Sequence, residues 1–313
     1  MDGAVSPLGR VGQAGEWIAD HIAPIAIAAV IAALLVPWHA LARRSDLLLA
    51  ALVLFTALQI NPRDLHALRG RMPVIAVIAL SVVLVLTGVA WLISRGFDGQ
   101  VRDGILSLGL ASTEVASVGL IGLAGGDSVL GLGILTASLI CSAILGPVLA
   151  GLLAHTTGPG GSLSLLGRFS LVVLAPLAAG LLLRGRQPAL KRAEGSLNGL
   201  AAVTVCLLLY AAVSNVHGGH RLAQEILGSA AFMIASAALG LLLSQRLRTH
   251  ALDPGAVAFT TGLRDFAVAA ALATQAFSPA AASVGGIYGA LMLLAGALAA
   301  TWMRRRSPHP RLV

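Results

Sequence analysis

Two short stretches concentrate the residues in this chain whose types and spacing could do chemistry. The first is Thr260-Thr261-Gly262-Leu263-Arg264-Asp265-Phe266, which sets an arginine beside an aspartate inside an otherwise apolar run from Ala256 to Phe277. The second, about 150 residues earlier, is Gly109-Leu110-Ala111-Ser112-Thr113-Glu114-Val115-Ala116-Ser117. Both interrupt apolar segments with small residues, hydroxyls and charge. An ion at the centre of a membrane span costs on the order of 3 kcal/mol on insertion scales, so ionisable residues held there mark function. A break in a spanning helix also exposes unpaired carbonyls on one half and unpaired N–H groups on the other, which need partners. Positive half-helix ends suit a carboxylate, and negative ends suit a cation.

Two such breaks at matching places in two halves of a chain point to the midplane binding site of a secondary transporter. The candidate site is then Ser112, Thr113, Glu114 and Ser117 from one break and Thr260, Thr261, Arg264 and Asp265 from the other. If the breaks cross, Arg264 pairs with one carboxylate and leaves the second uncompensated. That spare charge either holds Na+, near Glu114, Ser117 and Asp265, or is neutralised by a proton. The competing reading is a structural Glu114–Arg264–Asp265 ion-pair cluster that locks the crossover. Gln59 with Asn61, and Ser214 with Asn215, close two other apolar segments; these amides either line a cavity or cap helix ends. His217 and His220 read as loop residues with no third metal ligand, and Asp127 as an N-cap.

The elements that must position these residues are membrane helices. The 313 residues are 57% hydrophobic and 11% charged, with mean hydropathy +0.89; soluble chains carry roughly 25% charged residues. Apolar stretches of spanning length fall at about 17–36, 46–61, 74–94, 104–123, 129–154, 168–184, 197–216, 226–245, 256–277 and 282–303. That predicts an all-α polytopic protein of ten spans. Taking the N-terminus as cytoplasmic puts 14 Lys and Arg residues on that side and 6 on the other, so both termini are expected inside. The first sixteen residues lack the basic-then-apolar order of a cleaved signal, so the first span is expected to stay in the protein. Cys141 and Cys206 lie in apolar spans and read as packing residues. The formal charge of +8 belongs to short loops and to Arg304-Arg305-Arg306, which suits lipid headgroups rather than nucleic acid. No Gly-rich phosphate loop with a lysine, and no nucleophile–base pair, points to ATP hydrolysis or another enzymatic activity.

The loop His155 to Ser162 is the best internal boundary, dividing 1–155 from 156–313. Features recur across it at a spacing near 150: Pro24 with Pro176, Asn61 with Asn215, and one break with the other. A repeat of five spans is odd, so the second copy enters the membrane inverted. Gly285 and Gly289 form a GxxxG read as close helix packing.

Several segments resemble the bile acid:sodium symporter family, including its bacterial members. They are Ala57-Leu58-Gln59-Ile60-Asn61-Pro62-Arg63-Asp64-Leu65 with Arg71-Met72-Pro73, and Leu174-Ala175-Pro176 through Arg184, together with the two breaks at Gly109–Asp127 and Gly262–Asp265. The resemblance implies two inverted five-helix repeats with broken helices 4 and 9 crossing at the midplane. It implies a core of spans 3–5 and 8–10, a panel of spans 1–2 and 6–7, and alternating-access uptake of a small organic anion. The family typically carries glutamate, glutamine and asparagine where this chain has Thr260, Arg264 and Asp265, an asparagine sodium ligand at Val118, and small residues at Thr113 and Glu114. Val118 has no side-chain oxygen for a hard cation. The departures lead to the expectation that the Arg264 guanidinium occupies the space of one sodium, with Glu114 and Asp265 as counter-charges. Coupling is then to protons, to a remaining Na+, or absent. The alternative is a binding or regulatory membrane protein on the same fold, locked and inactive. A bacterial inner membrane is the expected location, with no cofactor beyond Na+.

Overall fold

Leu, Ala, Val and Ile runs without charge offer the backbone no partner in hydrocarbon but itself, so segments of spanning length close their hydrogen bonds internally as helices. The computed structural model describes residues 13–15, 17–18, 21–61, 66–97, 99–153, 161–187, 193–214, 220–247 and 252–306. In chain order these form α1 (Ile22–Leu35), α2 (Ser45–Gln59), α3 (Met72–Ser94), α4 (Gly99–Leu110), α5 (Ala116–Leu123) and α6 (Ser128–Leu153). After them come α7 (Gly161–Arg186), α8 (Glu194–Val213), α9 (His220–Leu247), α10 (Pro254–Gly262), α11 (Phe266–Ala276) and α12 (Ala282–Arg306). Single turns at His39–Ala42, Arg69–Arg71 and Pro279–Ala281 link some of them. Among the described residues six helices, α3, α6, α7, α8, α9 and α12, are long and apolar enough to cross a membrane, and α1, α2 and α11 are shorter apolar helices.

Each apolar stretch marked from sequence contains helix, and the two expected interruptions are real. The stretch 104–123 is α4 and α5 separated at 111–115, and 256–277 is α10 and α11 separated at 263–265. Helices α7 and α9 begin earlier than their hydropathy suggests, at Gly161 and His220. Polar residues such as Ser162, Gln224 and Glu225 lower a hydropathy average but do not stop a helix at a membrane surface.

The interior is largely apolar but includes polar groups, and large apolar side chains also cover the outside. Leu35, Leu171 and Leu298 are 75%, 69% and 71% exposed, while Thr113, Ser138 and Arg264 are fully buried. Exposed apolar side chains and buried hydroxyls suit a lipid solvent, where small residues and interhelical hydrogen bonds hold helices together.

Helix α2 packs against α7 and α8, and α8 against α1; α3 packs on α4 and α6, and α9 on α10 and α12. Gly240 lets α9 close on α10: a Cβ there would stand 2.6 Å from the Ala258 carbonyl oxygen. Gly285 and Gly289 of α12 face Phe266 and Ala270 of the same chain, so the GxxxG serves internal packing as expected. Cys141 and Cys206 are free. Asp127 accepts the Leu130 N–H at 2.9 Å, the N-cap expected of it, and also meets Arg71 at 3.8 Å.

Gly240→Ala is expected to lower the thermal midpoint of purified protein, at a cost of about 1–3 kcal/mol for overpacking. Gly88→Ala, where nothing lies within 4 Å of a new Cβ, should leave the midpoint unchanged or raise it, because alanine is the better helix former.

Candidate functional site

Helices α4 and α10 each end in carbonyls without an intrahelical partner, and α5 and α11 each begin with unpaired N–H groups. The two interruptions meet these needs by crossing. The Glu114 N–H donates to the Leu263 carbonyl at 3.1 Å, and the Asp265 N–H donates to the Ser112 carbonyl at 2.8 Å. Thr113 and Arg264 therefore face one another in a single antiparallel bridge.

Hydroxyls from the surrounding helices complete the crossing in matching pairs. The Thr113 N–H donates to Ser138 Oγ of α6 at 2.9 Å, and the Arg264 N–H donates to Tyr288 Oη of α12 at 3.0 Å. On the carbonyl side, Ser236 Oγ of α9 donates to the Gly262 oxygen at 2.8 Å, whereas Thr87 Oγ1 of α3 lies 3.3 Å from the Gly109 oxygen and closer, at 2.7 Å, to the Val83 carbonyl of its own helix. Ser142 Oγ serves the Leu110 carbonyl at 2.7 Å, and Thr113 Oγ1 serves that of Thr260 at 2.7 Å.

The acidic residues cap the second half-helices. Asp265 Oδ1 accepts from the N–H groups of Ala267 (2.9 Å) and Val268 (3.0 Å) at the start of α11. Glu114 Oε1 accepts from the Ala116 N–H (3.3 Å) at the start of α5. Both positive half-helix ends thus carry a carboxylate of the chain itself, which is where the helix dipole favours one.

This corrects the expected charge pairing. Ion pairs between described residues include Arg71–Asp127, Arg184–Glu194 and Arg221–Glu225, while Arg264 makes no hydrogen bond to Glu114 or Asp265. The guanidinium is buried, and its Nε, Nη1 and Nη2 lack hydrogen-bond partners. Arg264 and Asp265 interact electrostatically, but no hydrogen bond joins the guanidinium to either carboxylate. Four buried oxygens close to the crossing in sequence are likewise without hydrogen-bond partners: Ser112 Oγ, Ser117 Oγ, Thr261 Oγ1 and Glu114 Oε2. An enclosed cation with unused donors can take an anion, and unused hard oxygens suit a small cation.

The crossing brings together the breaks that carry Ser112, Thr113, Glu114 and Ser117 and those that carry Thr260, Thr261, Arg264 and Asp265. Thr260 Oγ1 bonds back to the Ala256 carbonyl of its own helix at 2.6 Å. Gln59 turns its amide onto the Phe55 carbonyl at 3.2 Å, at the end of α2, so it closes its helix. Asn215 and His217 lie outside the described residues. Thr87, Ser138, Ser142, Ser236 and Tyr288 are participants that sequence reading did not single out. Their only signal is a hydroxyl in an apolar helix, which Thr56 and Thr204 also show while bonding merely to their own helices.

Comparison with known proteins follows the same line. The model of the SBF-like CPA transporter family matches residues 21–302. The chain belongs to that family. The uncharacterized sodium-dependent transporter YocS of Bacillus subtilis (strain 168) is 26% identical to it over 241 residues, which are 74% of each chain. Membership of the SBF-like CPA transporter family makes this an integral membrane transporter and not an enzyme. It also agrees with the resemblance to the bile acid:sodium symporters drawn from the two breaks. Among the described residues no group of three His, Cys, Asp or Glu side chains is placed to hold a metal ion.

Ser138→Ala and Tyr288→Phe each strip a buried N–H of the crossing of its acceptor. Each is expected to destabilise the protein by about 1–3 kcal/mol, the cost of an unsatisfied buried donor. Thr204→Ala, which loses only a bond to the Leu200 carbonyl of its own helix, should cost clearly less when the three midpoints are compared.

Proposed function

We propose that this member of the SBF-like CPA transporter family is a secondary active transporter of a small organic anion, working by alternating access and coupled to Na+ or H+. The observation that carries this is the Arg264 guanidinium, buried at the crossing with all three nitrogens unbonded. The half-helix ends that attract carboxylates elsewhere are already occupied by Glu114 and Asp265, so Arg264 is the cation left for substrate. Its planar fork of donors matches a carboxylate.

On this reading the chain has ten spans, with α4–α5 and α10–α11 each counting as one. The matched bonds of Ser138 and Tyr288, and the matching places of Thr87 and Ser236, support two inverted repeats, 1–155 and 156–313, related by the crossing. The packing of α2 on α7 and α8, and of α1 on α8, supports a panel against which the core of α3–α6 and α9–α12 moves. Both termini are assigned to the cytoplasmic side of a bacterial inner membrane.

For the coupling ion, the relative's sodium dependence is carried over to this chain. Glu114 Oε2, Ser112 Oγ, Ser117 Oγ and Thr261 Oγ1 are the oxygens available to Na+. Arg264 stands in for a second cation.

The test is thermal unfolding of the purified protein in detergent, in Na+ against K+ or choline, at pH 6 and pH 8. A ligand bound only by the folded state stabilises it by about 2.7 kcal/mol at a hundredfold excess over Kd. Sodium is expected to raise the midpoint of wild type and of Arg264→Gln, but not of Glu114→Gln. Organic monocarboxylates that raise the wild-type midpoint should lose that effect in Arg264→Gln. A sodium effect that survives Glu114→Gln would move the cation away from the crossing. No sodium effect, with a pH shift that needs Glu114, would replace sodium by a proton.

A further inference from the structure

The two half-helices that follow the breaks differ in what covers them. Helix α11 packs on α4, α6 and α12, and also on α2, α7 and α8. It is buried without a gap from Phe266 to Ala273. Its counterpart α5 packs on α6, α10 and α12. Gly119 and Gly122 of α5 are exposed, and nothing lies within 4 Å of a Cβ built on Gly119. One half-helix is thus covered by three helices of the panel, while the other presents a bare glycine face.

The covered side closes at one end of the molecule. Asp46 lies in the first turn of α2, Ala212 and Gln275 stand near the ends of α8 and α11, and Ala282 opens α12. On the orientation assigned above, this is the outer end. There Gln275 Nε2 of α11 donates to Asp46 Oδ1 of α2 at 2.9 Å. At the same end Ala212 joins Ala270, Ala273, Ala281 and Ala282 in a small apolar cluster. A Cβ on Gly286 of α12 would stand 2.9 Å from that of Ala212, so α12 and α8 meet almost backbone to backbone. The panel side is braced. The Trp38 N–H donates to Ser214 Oγ at 3.3 Å, and the Tyr210 hydroxyl donates to the Val36 carbonyl.

Methyl and glycine contacts pack closely but hold weakly one by one. The amide–carboxylate bond adds a directional contact between the two bodies. Both of its residues are half-buried, so water receives the two groups when the seam parts. Its net worth is that of a hydrogen bond to a charged group, about tenfold in a two-state equilibrium.

We propose that the Asp46–Gln275 bond is the latch of an outer gate. It holds α11 against the panel, shuts the crossing from the outer side, and leaves α5 as a wall of the inner entry. Release of the latch lets the core move until α5 takes up the panel contacts, with Gly119 and Gly122 as the face that seats. The proposal rests on the panel-and-core reading above and on neither the anion nor the coupling ion.

The experiment reads thiol accessibility in membrane vesicles of each orientation. A charged, membrane-impermeant maleimide is applied to the full chain with Cys141 and Cys206 replaced by Ala. Gly119→Cys is expected to react in inside-out vesicles. Ala273→Cys, buried at the outer seam, should stay almost unreacted in right-side-out ones. Asp46→Ala and Gln275→Leu should each raise the rate at Ala273→Cys about tenfold. Asp46→Asn, which keeps an oxygen for the Gln275 amide, should leave that rate near its starting value. Ala79→Cys, buried in α3, reports general loosening and should stay unreacted in every background. An equal rise in Asp46→Asn, no rise in Gln275→Leu, or a parallel rise at Ala79→Cys would overturn the latch. A Gly119→Cys thiol that reacts only from the outer side, or from neither, would overturn the open inner entry. These rates need no substrate, so they stand or fall apart from the midpoint shifts that test the anion site.

Discussion

A helix interrupted inside a bilayer leaves backbone N–H and C=O groups that no solvent can satisfy, each at a cost of several kcal/mol. This chain interrupts two, and the remainder of the structure follows from pairing them. The bridge between Thr113 and Arg264 settles two N–H groups and two carbonyls at once. It also leaves the N–H groups of Thr113 and Arg264 pointing outward from the pair. Those must be met from outside, which places α6 and α12 with Ser138 and Tyr288 against the crossing. The carbonyl ends of α4 and α10 make the same demand, met by Ser142 of α6 and Ser236 of α9, with Thr87 of α3 close to the Gly109 carbonyl. Four long helices are thereby arranged around one backbone contact. Glycines such as Gly240 and Gly289 allow the approach that these hydrogen bonds require.

The charges divide by the same logic. A carboxylate immediately ahead of a helix can cap it with little loss of chain freedom, and the helix dipole adds to the gain. Asp265 stands at that position before α11, and Glu114 one residue farther back before α5. The caps occupy Glu114 Oε1 and Asp265 Oδ1 and leave the second oxygen of each carboxylate outside them, and a buried pair recovers its desolvation cost only with good geometry on both sides. The guanidinium remains enclosed without a hydrogen-bonded partner. On the proposed reading, that residual electrostatic cost is what an entering anion relieves, so the charge that is most expensive to bury is also the one that selects the substrate.

Much of this was legible in the sequence because it rests on local composition. Gly109, Ser112, Thr113 and Glu114, like Thr260 to Asp265, combine chain flexibility, hydroxyls and charge in a setting that tolerates none without reason, so the breaks could be located to within a few residues. Helix starts were less legible, since α7 and α9 reach into polar residues at the membrane surface where hydropathy ceases to discriminate. The partner hydroxyls were hidden. A serine such as Ser138, which crosses to another helix, looks no different in sequence from Thr204, which bonds to its own. The guanidinium's lack of a hydrogen-bonded carboxylate was hidden for a related reason: opposite charges predict attraction, but not the distance at which the packed backbone holds them.

The crossing itself is open to a direct chemical measurement. Residues paired across an antiparallel bridge of this kind have Cα atoms about 4.5 Å apart, within the range that a disulfide spans. Thr113→Cys with Arg264→Cys, in a background where Cys141 and Cys206 are replaced by Ala and a protease site is inserted at 154–160, makes this visible. After oxidation in membranes and cleavage, the account predicts that the two halves migrate together on a denaturing gel and separate only on reduction. Halves that separate without reductant, with both thiols free to alkylation, would contradict it.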